Sequence, residues 1–315
     1  FIPTFTFVLL LAALLVAQPI PGGGPGPRAY PADLKPAFAD VAYADLSPAQ
    51  KLDLFLPAGP GPFPLLLNIH GGAFMFGDKT MLDAPVARAF LAAGFAVASV
   101  NYRLSGEARF PAAVQDVKAA VRHLRARAAD YRLDGRIVAF GQSAGGNLAS
   151  LLGTSGGEAL FEDARLGHAE TSSRVQAVID WFGPTDFAQM DAQAKAEGRP
   201  ASAQTHGTAD SPESRYLGAA LATVPELVRQ ANPATYATPD DPPFLLQKGS
   251  ADPLIPVGQS RLLLDALRRA NVSATLEIIE GGGHGDMGSG QARFLTPENI
   301  ARLVTFARQN VPPKP

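Results

Sequence analysis

The chain has 315 residues, enough for one sizeable α/β domain or two small ones, and 46% of them are hydrophobic, ample to close a core. With 27 basic and 29 acidic side chains its formal net charge is -2, which offers no electrostatic footprint for gripping nucleic acid or an anionic membrane surface and leaves a neutral or modestly polar small molecule as the expected partner. The lack of cysteine removes disulfides, thiolate nucleophiles, Cys-ligated zinc and a lipid-modified N-terminal cysteine together.

Residues 1–17, FIPTFTFVLLLAALLVA, are almost wholly apolar and uncharged, and the first basic residue is Arg28. They read as the apolar region of a secretory signal peptide cleaved near Ala17, which places the folded part outside the cell or in the periplasm with no stable membrane partner. The initiating Met and a basic leader are then expected upstream of Phe1. A buried first helix and an uncleaved anchor are the alternatives. Pro3, Thr4 and Thr6 leave the run short of the roughly 20 apolar residues a span needs, and Leu15 sits where a cleavage site prefers a small residue. Residues 18–40 include PIPGGGPGPRAYPADLKP, a Pro/Gly-rich stretch that reads as a linker.

From 41 to 311 the pattern is that of one catalytic domain in which strand and helix signals alternate. KLDLFLP and PLLLNIH are short apolar runs, and APVARAFLAAG has helical spacing stopped by Gly94. FAVASVNY is a strand, followed by PAAVQDVKAAVRHLRARAADY, the clearest amphipathic helix, opened by Pro111. RIVAFG, VQAVIDWF, PFLLQKG and TLEIIE are further strands, while AGGNLASLLG, VGQSRLLLDALRRA and NIARLVTFARQ are further helices. Strands apolar on both faces and separated by helices imply an α/β architecture with a mostly parallel central sheet covered on both sides. Between Phe182 and Phe244 lies a long polar insertion with little to build a large cap, so a mostly open site bordered by this loop is expected.

Gly141-Gln142-Ser143-Ala144-Gly145 fits G-x-S-x-G, and it falls directly between the strand RIVAFG and the helix AGGNLASLLG, the strand-turn-helix context of a nucleophile elbow. Such a turn lifts the Ser143 hydroxyl clear of the sheet, and the helix start offers the Ala144 N–H to a developing oxyanion. His70-Gly71-Gly72-Ala73-Phe74 follows the strand PLLLNIH and matches an HGGG-type oxyanion loop, so the N–H groups of Gly72 and Ala73 can join that of Ala144. His70 itself reads as a structural residue that holds the loop by a hydrogen bond.

Of the five histidines, His123 falls within a helix, and His168 and His206 lie in polar insertions where a solvated imidazole is the plain reading. His284, in GGGHGDMG before the last helix, is the expected base. The acid should fall between serine and histidine in chain order. Asp252 in the turn after FLLQKG meets this, with Asp186 in WFGPTDF as the alternative; Asp286 is too near His284 in sequence to reach the correct nitrogen easily. Neither metal-ligand spacing nor a phosphate-binding glycine loop is present, so no metal or organic cofactor is expected.

HGGAF, GQSAGG, WFGPTDF, DSPESRYLG, PPFLLQKGSADPLIPVGQS and GGGHG together resemble the cap-less secreted esterases grouped with bifunctional feruloyl and acetylxylan esterases, near the hormone-sensitive-lipase-like branch, from about Lys51 to about Ala307. The resemblance implies an α/β-hydrolase fold without a large cap, a Ser143-Asp252-His284 triad, and oxyanion donors on Gly72, Ala73 and Ala144. It also implies acyl transfer from a small-molecule or polymer-linked ester. Two departures are Ala73 for a third glycine and Lys248 for the histidine that relatives show in HGxxD, and neither is expected to affect catalysis much. Phe74, Trp181, Phe182 and Met287 are candidates to line the pocket, although core packing would explain Trp181 equally well. Within esterases, short-chain or aryl esters come first, then hemicellulose-linked acetyl or feruloyl groups, then polyesters. A prolyl-peptidase-like enzyme would require a further module, and an inactive binding protein would lack a triad member.

Overall fold

The computed structural model describes residues 29–285 and 291–312. The expected signal region therefore lies outside the described residues, as do Asp286 and Met287. The elements run β1 (Phe38–Ala42), β2 (Lys51–Phe55), β3 (Phe63–Ile69), α1 (Ala84–Ala92), β4 (Ala96–Val100), α2 (Ala112–Ala126), β5 (Leu133–Gln142), α3 (Ala144–Thr154) and β6 (Ala177–Trp181). After β6 come α4 (Met190–Ala196), α5 (Pro212–Leu217), α6 (Pro225–Gln230), β7 (Phe244–Gly249), α7 (Val257–Arg269), β8 (Ala274–Ile279), α8 (Gln291–Phe294) and α9 (Pro297–Asn310).

The strands form one eight-stranded sheet in the order β1-β2-β4-β3-β5-β6-β7-β8. β1 and β2 pair antiparallel, as do β2 and β4, and every other pairing is parallel. Every residue of β3, β4, β6 and β7 is buried, because helices cover both faces. One layer packs α1 and α9, through Phe90 and Leu303, against Phe140, Ile179 and Trp181. The opposite layer packs α2, α3 and α7, through Val117, Leu148 and Leu263, against Leu65, Leu67 and Val178. Parallel strands point their C-terminal ends to one edge of the sheet. The loops after β3, β5, β7 and β8 therefore gather His70, Ser143, Asp252 and His284 on that edge.

The structure departs from the sequence reading in two regions. The segment read as a linker to residue 40 joins the fold earlier: the Tyr30 hydroxyl lies 2.9 Å from Asp53 Oδ2 and 3.0 Å from Lys79 O, Leu34 is buried, and β1 starts at Phe38. Its two anchors, one aromatic and one leucine, are hidden by the surrounding Pro and Gly. The insertion between β6 and β7 is a packed layer. Its three helices are only 6 or 7 residues long and build no large cap, yet Phe187, Met190, Tyr216, Leu217, Leu221 and Val228 are all buried. Helix α5 shows how a polar sequence manages this: Ser211 accepts from Ser214 N at 3.0 Å, Pro212 occupies the first turn, and Gly218 closes the helix at φ 84°.

Candidate active site

Ser143 sits between β5 and α3 with φ 55° and ψ -121°, a strained conformation for a non-glycine residue. Its N–H donates to Trp181 O at 2.9 Å, which ties the turn to β6. The turn is too tight for side chains beside it: a Cβ on Gly141 would lie 2.0 Å from Gly145 O, and one on Gly145 would lie 2.1 Å from Ile69 O. Beneath α3, buried Asp180 accepts from Ser150 Oγ at 2.8 Å and from Gly183 N at 2.8 Å. Burial dominates there and raises its carboxyl to about 6.

The structure brings Ser143, His284 and Asp252 into one hydrogen-bonded line. Ser143 Oγ stands 2.8 Å from His284 Nε2, and His284 Nδ1 stands 2.8 Å from Asp252 Oδ2. The other oxygen, Oδ1, accepts the N–H groups of Leu254 at 2.8 Å and Ile255 at 2.9 Å. Oδ2 also accepts from the Lys248 ammonium, and both side chains of that pair are fully buried. Burial by itself pushes the Asp252 carboxyl up, but the charges of Lys248 and His284 outweigh it and hold Asp252 well below the usual carboxylate range. Asp186, the alternative acid, instead caps the turn before α4 by accepting from Ala188 N at 3.1 Å.

The loop after β3 is held from below. His70 Nδ1 donates to Gly71 O at 2.7 Å, its ring stacks on Tyr102 at 4.4 Å, and the Tyr102 hydroxyl donates to His70 O at 2.9 Å. Burial lowers His70 to about 4, so it is neutral at physiological pH. Gly72, Ala73 and Phe74 follow with φ values of 104°, 54° and 60°. Ala73 therefore occupies a backbone conformation in which a methyl group is a cost.

A cavity of about 200 Å³ opens over Ser143. Its walls include Ala73, Phe74, Ala144 and His284, with Ser202, Ala203, Thr205, His206, Pro212 and Glu213 from the insertion and Leu254 and Ile255 from the acid loop. The expected open site is thus closed in on one side by the packed insertion. Ala144 lines the cavity as the first residue of α3, where N–H groups have no intrahelical acceptor. Gly72 precedes Ala73 in a turn with no room for a side chain, where a Cβ would fall 2.0 Å from Phe76 O.

Two of the expected pocket residues belong elsewhere. Trp181 is fully buried in the α1/α9 layer, edge-on to Phe140 at 5.0 Å, with Nε1 donating to Gln247 Oε1 at 2.6 Å. Phe182 packs against the ring of His284 at 4.7 Å and against Phe294 at 5.0 Å, so it backs the imidazole and does not line the cavity. Phe74 does line it, stacked on Tyr216 at 3.9 Å. Conversely, His206 is not a solvated imidazole. Its Nδ1 lies 3.0 Å from Glu213 Oε1, and both residues stand in the cavity wall. Burial opposes charge on His206, but Glu213 at hydrogen-bond distance and Asp191 behind it raise its pKa above the usual histidine value. The only cue in the sequence was one histidine and one glutamate seven residues apart in the insertion.

Fold and site together define an α/β-hydrolase with a Ser-His-Asp arrangement on the C-terminal edge of the sheet. The chain matches the BD-FAE family over residues 52–267, more than half its length, and belongs to that family. It is 31% identical over 271 residues to Esterase LipC of Mycobacterium tuberculosis, an alignment covering 84% of this chain and 64% of the relative. With two other esterases of that organism in view, the chain spans 52% to 64% of the length of these curated relatives. Among solved structures, a truncated carbohydrate esterase from gut microbiota superposes with a TM-score of 0.77 at 30% identity, covering 88% of this chain and 96% of that one. A bifunctional GH43-CE protein of Bacteroides eggerthii gives 0.77 at 33% identity, over 87% of this chain and 35% of that one.

Proposed function

We propose that this chain is a serine carboxylic ester hydrolase working through an acyl-enzyme, with Ser143 as nucleophile, His284 as base and Asp252 as the carboxylate that orients it. The observation that carries this reading is the continuous line Ser143 Oγ, His284 Nε2, His284 Nδ1, Asp252 Oδ2, with 2.8 Å at both hydrogen bonds. His284 takes the hydroxyl proton as Ser143 attacks the ester carbonyl. The oxyanion forms beside the N–H groups of Gly72, Ala73 and Ala144. Protonated His284 then hands its proton to the departing alcohol, and water activated by the same imidazole releases the acid.

The cavity of about 200 Å³ favours a small acyl group, because it is below the roughly 300–1,000 Å³ of sites that enclose drug-sized ligands. Short-chain esters are therefore the first choice. Acetylated carbohydrate is the favoured natural form, supported by likeness to structures described as carbohydrate esterases and by His206 and Glu213, polar groups able to meet hydroxyls, in the cavity wall. Export to the periplasm or beyond, on the strength of residues 1–17, would bring the enzyme to such material.

The test is hydrolysis of p-nitrophenyl esters of graded acyl length, acetylated xylan and methyl ferulate by the parent and Ser143→Ala. Rates should be highest for acetyl and fall steeply beyond butyryl, and Ser143→Ala should lose at least about 10³-fold in kcat. Near-parental turnover by that variant would remove Ser143 from the mechanism, and preference for long chains would refute the small-acyl reading.

A further inference from the structure

We propose that Lys248 is a working part of this proton relay: its buried ammonium shares Asp252 Oδ2 with His284, fixes the carboxylate, and sets the lower pH boundary of turnover. The inference rests on the reading of Ser143, His284 and Asp252 as the triad, and it makes Lys248 a positioning residue that acts through Asp252.

Lys248 lies near the end of β7, four residues before Asp252, with its side chain fully buried. Its Nζ donates to Asp252 Oδ2, the same oxygen that faces His284 Nδ1 at 2.8 Å, while Oδ1 is occupied by the N–H groups of Leu254 and Ile255. Four donors thus saturate one buried carboxylate and leave it no freedom to rotate. Such a group is costly to bury without a partner, and Lys248 is fully screened from water. The other charged groups that act on Lys248 are Arg199, which opposes its charge, Glu197, which favours it, and Asp180 on the neighbouring strand β6. Arg199 is itself paired with Glu197 at 2.7 Å, so Asp252 is the dominant partner. Burial, despite that partner, brings the ammonium down to about 8.

The consequence is electrostatic. A carboxylate beside an imidazole stabilises the positive charge that forms when the serine proton arrives at Nε2. A second cation on the same carboxylate oxygen opposes that charge. With Lys248 charged, further positive charge on that line, in acid as in the transition state, is opposed by a second cation on the shared oxygen.

The experiment is the pH dependence of kcat/KM on p-nitrophenyl acetate for the parent, Lys248→Met, Lys248→Gln and Lys248→Arg, with melting curves to verify folding. In the two neutral variants the acidic limb should move up by about one pH unit. In Lys248→Arg, which keeps the cation, it should stay with the parent even where kcat falls through crowding. Coincident limbs in all four proteins would reduce Lys248 to a space-filling role and overturn the proposal. Should neither neutral variant fold, the parent decides: a second rise in kcat/KM as the ammonium loses its proton at alkaline pH supports the proposal, and a flat plateau overturns it. Failure of the triad reading has a different signature, since Ser143→Ala would then hydrolyse the ester at the parental rate whatever the limbs do.

Discussion

At the scale of single residues, four of the eight non-glycine residues with positive φ among the described residues gather at the candidate site, while Asp40, Arg132, His168 and Asn271 lie elsewhere. Ser143, Ala73, Phe74 and Phe182 all have positive φ, and each is a non-glycine residue next to the cavity or behind its imidazole. At Ser143 the proposed role accounts for the strain, because a glycine there would remove the hydroxyl assigned as nucleophile. At Ala73 the proposed role needs only the N–H, so the methyl is a backbone cost at φ 54°. Ala73→Gly is predicted to stabilise the fold by up to about 1 kcal/mol, read as a higher denaturant midpoint, while retaining esterase activity. A drop in stability would mean that the methyl packs usefully against the cavity wall. Ser143, Asp252 and His284 were legible as residues because each follows a recognisable strand and obeys a fixed chain order. Trp181 and Phe182 were not, since period-two alternation tells that neighbours face opposite ways without telling which way opens to the site. Trp181 follows Ile179 and Ala177 into the α1/α9 layer, while Asp180 turns to α3.

Among elements, the strands and long helices were plain from their apolar periodicity, and their observed bounds differ mainly at the ends. Helix α2 stops at Ala126, short of the stretch that carried its pattern on to Tyr131. The insertion was opaque because its buried residues are spread among polar ones, in helices of 6 or 7 residues or, for Phe187 and Leu221, in three-residue 3-10 turns, all too short for a periodic signal. Lys248 was visible as a departure from the family pattern, but its contact with Asp252 depends on how the turn after β7 folds back. The packing of α3 on β6 leads to a measurable pH effect through Asp180, whose carboxyl burial raises from 3.8 to about 6. The native chain keeps that proton at pH values where the unfolded chain has released it, so this residue's contribution to stability falls as pH rises through about 4 to 6. Asp180→Asn, which can still accept from Gly183 N and pair with Ser150, should therefore gain on the parent at pH 7 by up to about 3 kcal/mol and not at pH 4. Urea midpoints at the two pH values check this, and an equal offset at both would show that the Asp180 carboxyl binds its proton equally well in the folded and unfolded chain.

For the whole molecule, the parallel sheet performs the central task of bringing remote stretches to one edge. Ser143 and His284 are 141 residues apart, and Asp252 is 32 from His284, yet the three form one line because β5, β7 and β8 end on the same edge of one sheet. Everything proposed for this edge therefore requires that Ser143, within that line, be the group that becomes acylated. Its most direct test is to expose the protein to a serine-directed organophosphate ester and locate the adduct by mass spectrometry. One phosphoryl group per chain on the peptide containing Ser143, formed in step with loss of esterase activity and absent from His284→Ala, is the predicted result. Complete loss of activity with the adduct on another residue, or full labelling of Ser143 with hydrolysis intact, would contradict it.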